Sequence, residues 1–252
     1  MQLSDVIANF FNSLGLKHVF AISGGASLHL IHGFDRFNDI EVICCHHEQS
    51  TAMAADAYSR VKGIPSLAIA TSGPGATNLI TGIAGCFYDS IPSIFITGQV
   101  STFRSSEGLN VRQIGFQETP IVNICKEIVK YSVQINDPNQ ILKELQKAYF
   151  ISQTERPGPV LLDIPDNLQR AELDLNNLET FNEPKISNLQ NIDLNSLELL
   201  KEKISESSRP IIVAGSGIKL SKSEKLFDKF VKSTNIPVAL TWGAIDLLDK
   251  DN

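Results

Sequence analysis

Apolar residues recur along the first half of the chain in two alternating rhythms. Val6, Ile7, Phe10, Phe11 and Leu14 return every three or four positions and predict an amphipathic helix; His18 to Ile22 then reads as a short buried strand. A glycine turn follows, with a helical pattern from Ala26 to about Phe37 and an apolar run of strand length at Glu41 to Cys45. Another helix opens near Glu48. Ser66 to Thr71 is apolar or small on successive residues, as expected of a strand covered on both faces of a parallel sheet, and it ends in the turn Ser72-Gly73-Pro74-Gly75. Ala76, Leu79, Ile80, Ile83, Ala84 and Phe87 predict the next helix, and Ser93 to Thr97 the next strand. Repeated strand, turn and helix units imply parallel crossovers, hence an α/β, doubly wound parallel sheet. A polar stretch from Gly98 to about Gln117 is long enough to be a functional loop. Beyond it lie a strand at Lys130 to Ile135, a helix from Pro138 to about Ser152 and a strand at Val160 to Ile164.

From Asp166 to about Leu194 the chain turns to Asn, Leu, Glu and Asp with little periodicity. This places a first domain at 1–170, a linker at 171–194 and a second α/β domain beginning at 195–252. Its helix over Ser196 to Ser205, strand at Ile211 to Ala214, turn Gly215-Ser216-Gly217, helix over Ser221 to Ser233 and strand at Val238 to Leu240 are the opening of such a domain only. About 60 residues are fewer than a doubly wound sheet takes, so a truncated chain with a bare sheet edge is expected.

Composition narrows the partners. Lys+Arg 22 against Asp+Glu 28 gives a net charge of -6, with no basic run to track phosphates, which argues against nucleic acid. No apolar stretch approaches the ~20 residues of a membrane span, and no signal sequence opens the chain, so no membrane partner and a cytoplasmic location are expected. Cys44, Cys45, Cys86 and Cys125 lack CxxC spacing and read as reduced core residues. His46 and His47 do not give tetrahedral spacing. His29 and His32, three apart on a helix, are more commonly solvated or core side chains than ligands. No metal site is assigned to these residues.

In open parallel sheets ligands collect at the carboxyl ends of the strands. Ser23-Gly24-Gly25, His47-Glu48-Gln49 and Ser72 to Asn78 fall there; none has the GxGxxG or GxxxxGK[ST] pattern. In order and wording, His47-Glu48-Gln49, Thr71-Ser72-Gly73-Pro74-Gly75-Ala76-Thr77-Asn78, Ile96-Thr97-Gly98-Gln99-Val100, Phe116-Gln117-Glu118-Thr119-Pro120, Arg156-Pro157-Gly158-Pro159-Val160 and Asp163-Ile164-Pro165 resemble the N-terminal part of thiamine-diphosphate enzymes of the acetolactate synthase group. The resemblance spans nearly the whole chain.

The resemblance implies a pyrimidine-binding domain followed by the start of a central domain. The family's third domain, which carries the Asp and Asn ligands of Mg2+, lies outside it, and the chain alone is expected to be inactive. Glu48 is implied as the carboxylate hydrogen-bonded to N1′ of the aminopyrimidine, favouring the imino tautomer whose N4′ removes the C2 proton of the thiazolium. From position alone, Glu48 is a first-turn acid that complements a helix dipole. Gly24, Gly25, Thr71, Gly73, Pro74 and Asn78 are implied as cofactor-binding; the same residues also make a tight strand-to-helix turn capped by Thr77 or Ser72. Gln99, Phe116 and Gln117 are implied at the substrate pocket, the last two reaching toward a neighbouring subunit, with a strand-end polar residue and loop packing as the plainer readings.

The implied activity is a carboligase that decarboxylates pyruvate or a related 2-keto acid and joins the product to a keto acceptor, within a homodimer or tetramer. The alternatives are a 2-keto acid decarboxylase, a nucleotide-sugar carboligase of the same family, or a non-catalytic split subunit contributing half a site. Ser23 stands where proline is usual and His46 where arginine is common, and Val111-Arg112-Gln113-Ile114-Gly115 is worded like relatives of surface-sugar biosynthesis. Gly215-Ser216-Gly217 falls where some family members bind FAD and others keep the turn without it.

Overall fold

The computed structural model describes residues 1–37, 39–184 and 193–248, and its contacts separate a first unit, Met1–Glu183, from a second, Pro184–Asn252. In the first, α1 (Leu3–Ser13), β1 (His18–Ala21), α2 (Leu28–Asp35), β2 (Glu41–Cys44), α3 (Glu48–Lys62) and β3 (Ser66–Ala70) follow one another. Then come α4 (Pro74–Asn78), α5 (Ile80–Asp89), β4 (Ser93–Gln99), α6 (Ile121–Cys125), β5 (Tyr131–Gln134), α7 (Ile141–Gln153), β6 (Val160–Pro165) and α8 (Asp166–Gln169). The strands form one sheet in the order β2-β1-β3-β4-β6-β5, with every pairing parallel.

Alternation along the central strands explains the two layers of helices. Leu67 and Ile69 of β3, Ile94 and Ile96 of β4, and Leu162 of β6 face one way and pack with Ile7 and Phe11 of α1, Phe34 of α2 and Leu145 of α7. Ala68 and Ala70, Phe95 and Leu161 face the other way, against Ala52 and Ala55 of α3, Ile83 and Cys86 of α5, and Ile121 of α6. Every residue of β3, β4 and β6 is buried. Each fully buried Leu, Ile or Phe contributes roughly 1.5–3 kcal/mol, so this core carries the first unit. The architecture is the α/β doubly wound sheet that the rhythm predicts.

Three elements differ from the sequence reading. The helix expected over Ala76 to Phe87 is broken: Leu79 donates its N–H to Ala76 O, three residues back, at 3.2 Å, and its fully buried side chain marks the joint between α4 and α5. Apolar spacing runs through this joint unchanged, so periodicity does not reveal it. Residues Gly25–Ser27 form a 3-10 turn before α2 rather than its first turn. The run at Glu41 to Cys45 forms an edge strand, and this corrects the reading of all four cysteines as core. Cys44 is exposed and Cys45 half-buried, while Cys86 and Cys125 are buried, and all four are free thiols. Burial pushes the Cys86 thiol up to about 12 and Cys125 up to about 11, which makes both poor nucleophiles.

Residues 171–183, assigned above to the linker, run as a strap along the first unit. Leu3 N–H donates to Ala171 O at 3.0 Å, Leu173 N–H to Met1 O at 2.9 Å and Glu179 N–H to Asn139 O at 3.2 Å, and Phe181 packs on Phe150 with ring centroids 5.6 Å apart. Backbone bonds and a few anchors hold the strap, so its polar composition reads as linker. Residues 185–192 of that linker lie outside the described residues.

The second unit contains α9 (Leu194–Glu206), β7 (Ile212–Ala214), α10 (Gly217–Leu220), α11 (Glu224–Thr234) and β8 (Val238–Leu240). β7 and β8 pair in parallel, Val213 opposite Ala239. Among the described residues only Ala214 and Ala244 of this unit are buried.

Candidate functional site

Thr71 stands at the meeting point of three segments. It follows β3, and its Oγ1 accepts the Ala26 N–H at 3.1 Å, which ties the turn after β1 to the end of β3. A β-carbon at Gly24 would stand 2.5 Å from the Thr71 side chain, and one at Gly75 would stand 2.7 Å from Thr71 Cγ2 and 3.3 Å from Glu48 Oε1. Both glycines therefore pack their backbone directly against Thr71, and Gly75 also lies close to Glu48, where a larger residue does not fit. Behind this turn, a β-carbon on Gly98 would collide with the Ala26 carbonyl, which also accepts the Gln169 Nε2–H at 2.6 Å.

Glu48 is the first residue of α3. His47 caps that helix: its backbone is extended and its Nδ1 accepts the Gln49 N–H at 3.1 Å. Asn78, the last residue of α4, donates from Nδ2 to Glu48 Oε2 at 3.0 Å. The break at Leu79 thus has a structural result, because the short helix before it carries Asn78 to the carboxylate. Gly73 precedes α4 with φ 61° and ψ -129°, a conformation only glycine adopts without strain, and Pro74 occupies the first helical position.

On the other side of Gly73 lies Gln117. A β-carbon on Gly73 would come within 2.6 Å of Gln117 Cβ, and Gln117 itself has φ 60°. Two adjoining left-handed residues bring this loop onto the turn. Phe116 points outward and is 82% exposed.

Gln99 is placed elsewhere. It is buried, and its amide is fully used: Nε2 donates to Thr119 O at 2.7 Å and to Asp163 Oδ2 at 2.8 Å, while Oε1 accepts the Val100 N–H at 2.9 Å. Thr97 Oγ1 completes the network by donating to Asp163 Oδ1 at 2.6 Å. Burial pushes the Asp163 carboxyl up to about 6, against the Thr97 and Gln99 hydrogen bonds that favour its charge. Asp163 and Thr119 were assigned no role from the sequence. Thr97 and Asp163 are 66 positions apart, and only the pairing of β4 with β6, which sets Thr97 opposite Asp163, brings them together.

Thus Glu48, Asn78, Thr71, Gly24, Gly73 and Gln117 gather around one turn. Gly25 and Pro74 lie exposed at its rim, Phe116 faces away and Gln99 is held by Thr119 and Asp163 instead. The donor set suits one end of a flat heteroaromatic ring: a half-buried carboxylate oriented by an amide, beside a turn of close-packed glycine backbone. Among the described residues no group of three or more His, Cys, Asp or Glu could hold a metal ion. In the second unit, Gly215 follows β7, Ser216 precedes α10 and Gly217 opens it.

Comparison with known proteins gives this geometry its class. Residues 1–127 match the family "Thiamine pyrophosphate enzyme, N-terminal TPP binding domain", and residues 197–252 match "Thiamine pyrophosphate enzyme, central domain". The chain belongs to the thiamine pyrophosphate enzyme family. It is 38% identical over 243 residues to the chloroplastic acetolactate synthase 3 of Brassica napus, covering 94% of this chain and 36% of that protein. It is also 34% identical over 238 residues to the acetolactate synthase large subunit of Lactococcus lactis subsp. lactis (strain IL1403), covering 94% of this chain and 40% of that protein. The chain therefore spans well under half the length of the relatives it matches. No helix among the described residues is long and apolar enough to cross a membrane.

Proposed function

We propose that the chain supplies the pyrimidine-binding half of an acetolactate synthase-like active site, acting with thiamine diphosphate on pyruvate or a related 2-keto acid and joining the product to a keto acceptor. The observation that carries this reading is the Glu48 carboxylate, held by Asn78 at 3.0 Å beside the close-packed turn at Gly75. Bound thiamine diphosphate supplies a nucleophilic carbon able to attack a keto acid and take up the electrons released with CO2. The protein's part is to hold a proton: Glu48 shares one with N1′ of the aminopyrimidine, and Asn78 keeps the carboxylate turned toward it. Gly24, Gly25, Thr71, Gly73 and Pro74 would hold that ring, forming the turn beside Glu48 and Asn78. The acetolactate synthases among the relatives support the choice of substrate class.

A second copy of the chain is the proposed partner, supported by Phe116, Tyr88 and Met53, large apolar side chains that the first unit leaves 82%, 72% and 49% exposed. Mg2+ enters the proposal as the counter-ion of the diphosphate, held by residues beyond those described here. FAD enters only through the turn Gly215-Ser216-Gly217. The proposed compartment is the cytoplasm.

Glu48→Gln in the thiamine-diphosphate-loaded full-length protein tests the assignment. Exchange of the C2 proton of the bound cofactor, followed by NMR, is expected to slow by about 10²–10⁴-fold. Exchange within a factor of two of wild type would overturn the role of Glu48.

A further inference from the structure

The loop from Ser101 to Pro120 lacks a core of its own: Val111 is 54% exposed, Ile114 51% and Phe116 82%. One side chain organises it. Glu118 Oε1 accepts the Ser106 N–H at 2.6 Å, the Ser106 hydroxyl at 2.8 Å and the Ser105 hydroxyl at 3.4 Å, and Oε2 accepts the Ile114 N–H at 2.9 Å. Two segments eight residues apart are thereby drawn onto one carboxylate. The neck is closed separately: Gly115 N–H donates to Arg104 O at 2.9 Å and Glu118 N–H to Gly115 O at 3.2 Å, while Gly115 lies against Val100 with no room for a β-carbon. Partial burial raises the Glu118 carboxyl, but the Ile114 and Ser106 amides and the Ser106 hydroxyl outweigh it and hold the group below the ordinary carboxylate range. Hydrogen bonds to an ionised acceptor are about twice as strong as neutral ones.

Gln117 is the residue next to this hub and the one that meets Gly73. We propose that Glu118 is the positioning residue of the loop: its carboxylate holds the 105–114 arc closed and so sets Gln117 against Gly73 on the substrate side of the site. The last step, from loop to substrate, rests on the function proposed above.

Arg104 and Arg112 are exposed within the loop, and Lys62 is exposed outside it, so trypsin reads the arc directly in the full-length protein. Cleavage after Arg104 and Arg112, relative to Lys62, is expected to accelerate about tenfold or more in Glu118→Ala. A smaller increase is expected in Glu118→Gln, whose amide oxygen still accepts from Ser106 but whose NH2 cannot accept from Ile114. Amide exchange in β3 and β4 should stay as in wild type, which separates loop release from misfolding. With the loaded enzyme, KM for the 2-keto acid is expected to rise several-fold with cofactor affinity unchanged. Unaltered cleavage in both variants would overturn the proposal, and faster cleavage with unaltered KM would overturn the link through Gln117. Absence of any 2-keto acid turnover in wild type would defeat the carboligase reading instead, and the cleavage series alone would then decide the clamp.

Discussion

The two units are built from the same alternation of strand and helix and end in opposite states. In the first, β3, β4 and β6 lie between two layers of helices and every one of their residues is buried. In the second, β7 and β8 form a two-stranded sheet whose Val213 remains 67% exposed, with Leu226 69% and Trp242 94% exposed nearby. Local pattern is equally good in both. Among the described residues the first sheet has six strands and the second two, and a central strand needs neighbours on both edges and cover on both faces.

The sharpest way to break this comparison is a methyl group at Gly98. Its β-carbon would collide with the Ala26 carbonyl, a backbone atom that cannot turn aside, so Gly98→Ala is expected to destabilise the first unit by more than about 4 kcal/mol. Gly217→Ala in the second unit meets nothing within 4 Å and is expected to be neutral or slightly stabilising. Urea titration followed by far-UV circular dichroism measures both; equal losses would mean that the units do not differ as described. The sole tryptophan, Trp242, lies in the second unit, so its fluorescence reports that unit separately.

A smaller effect is expected from truncating one apolar side chain in each sheet. Ile96→Ala, fully buried between β3 and β6, should cost about 2–5 kcal/mol. Val213→Ala should cost under about 0.5 kcal/mol. A large loss at Val213 would show that its exposed face is covered by something other than the described residues.

A further effect, smaller than those at Gly98 and Ile96, concerns Asp163. Its native carboxyl titrates at about 6 against an ordinary value of 3.8, so between those values the folded state holds more protons than the unfolded one. Stability of the first unit should therefore fall as pH rises from 3.8 to about 6, by roughly 1–3 kcal/mol in total, and Asp163→Asn should remove that slope. A slope that persists in the variant would assign it to another group.

Much of this was legible in the sequence, and the failures share a cause. Successive apolar residues announced the buried strands, and the glycines and proline of Ser72 to Gly75 marked the turn. Glu48 could be placed at a helix start because helical spacing resumes just after it. The hydrogen bonds of Gln99 could not be read from the sequence, since its partners Thr119 and Asp163 lie 20 and 64 positions away and meet it only in the fold. Cys44 looked like core because an apolar run does not say whether its strand will lie at an edge. The joint at Leu79, which delivers Asn78 to Glu48, was hidden because it leaves the apolar spacing intact.

The contact between Gly98 and the Ala26 carbonyl also limits how such a scaffold can diversify. A floor made of main chain packed against main chain offers no side chain to exchange, so descendants cannot enlarge or reshape it by single replacements. Variation is accommodated instead at exposed positions of the segment between Ser101 and Pro120, such as Val111 and Ile114, where a changed side chain leaves the sheet undisturbed.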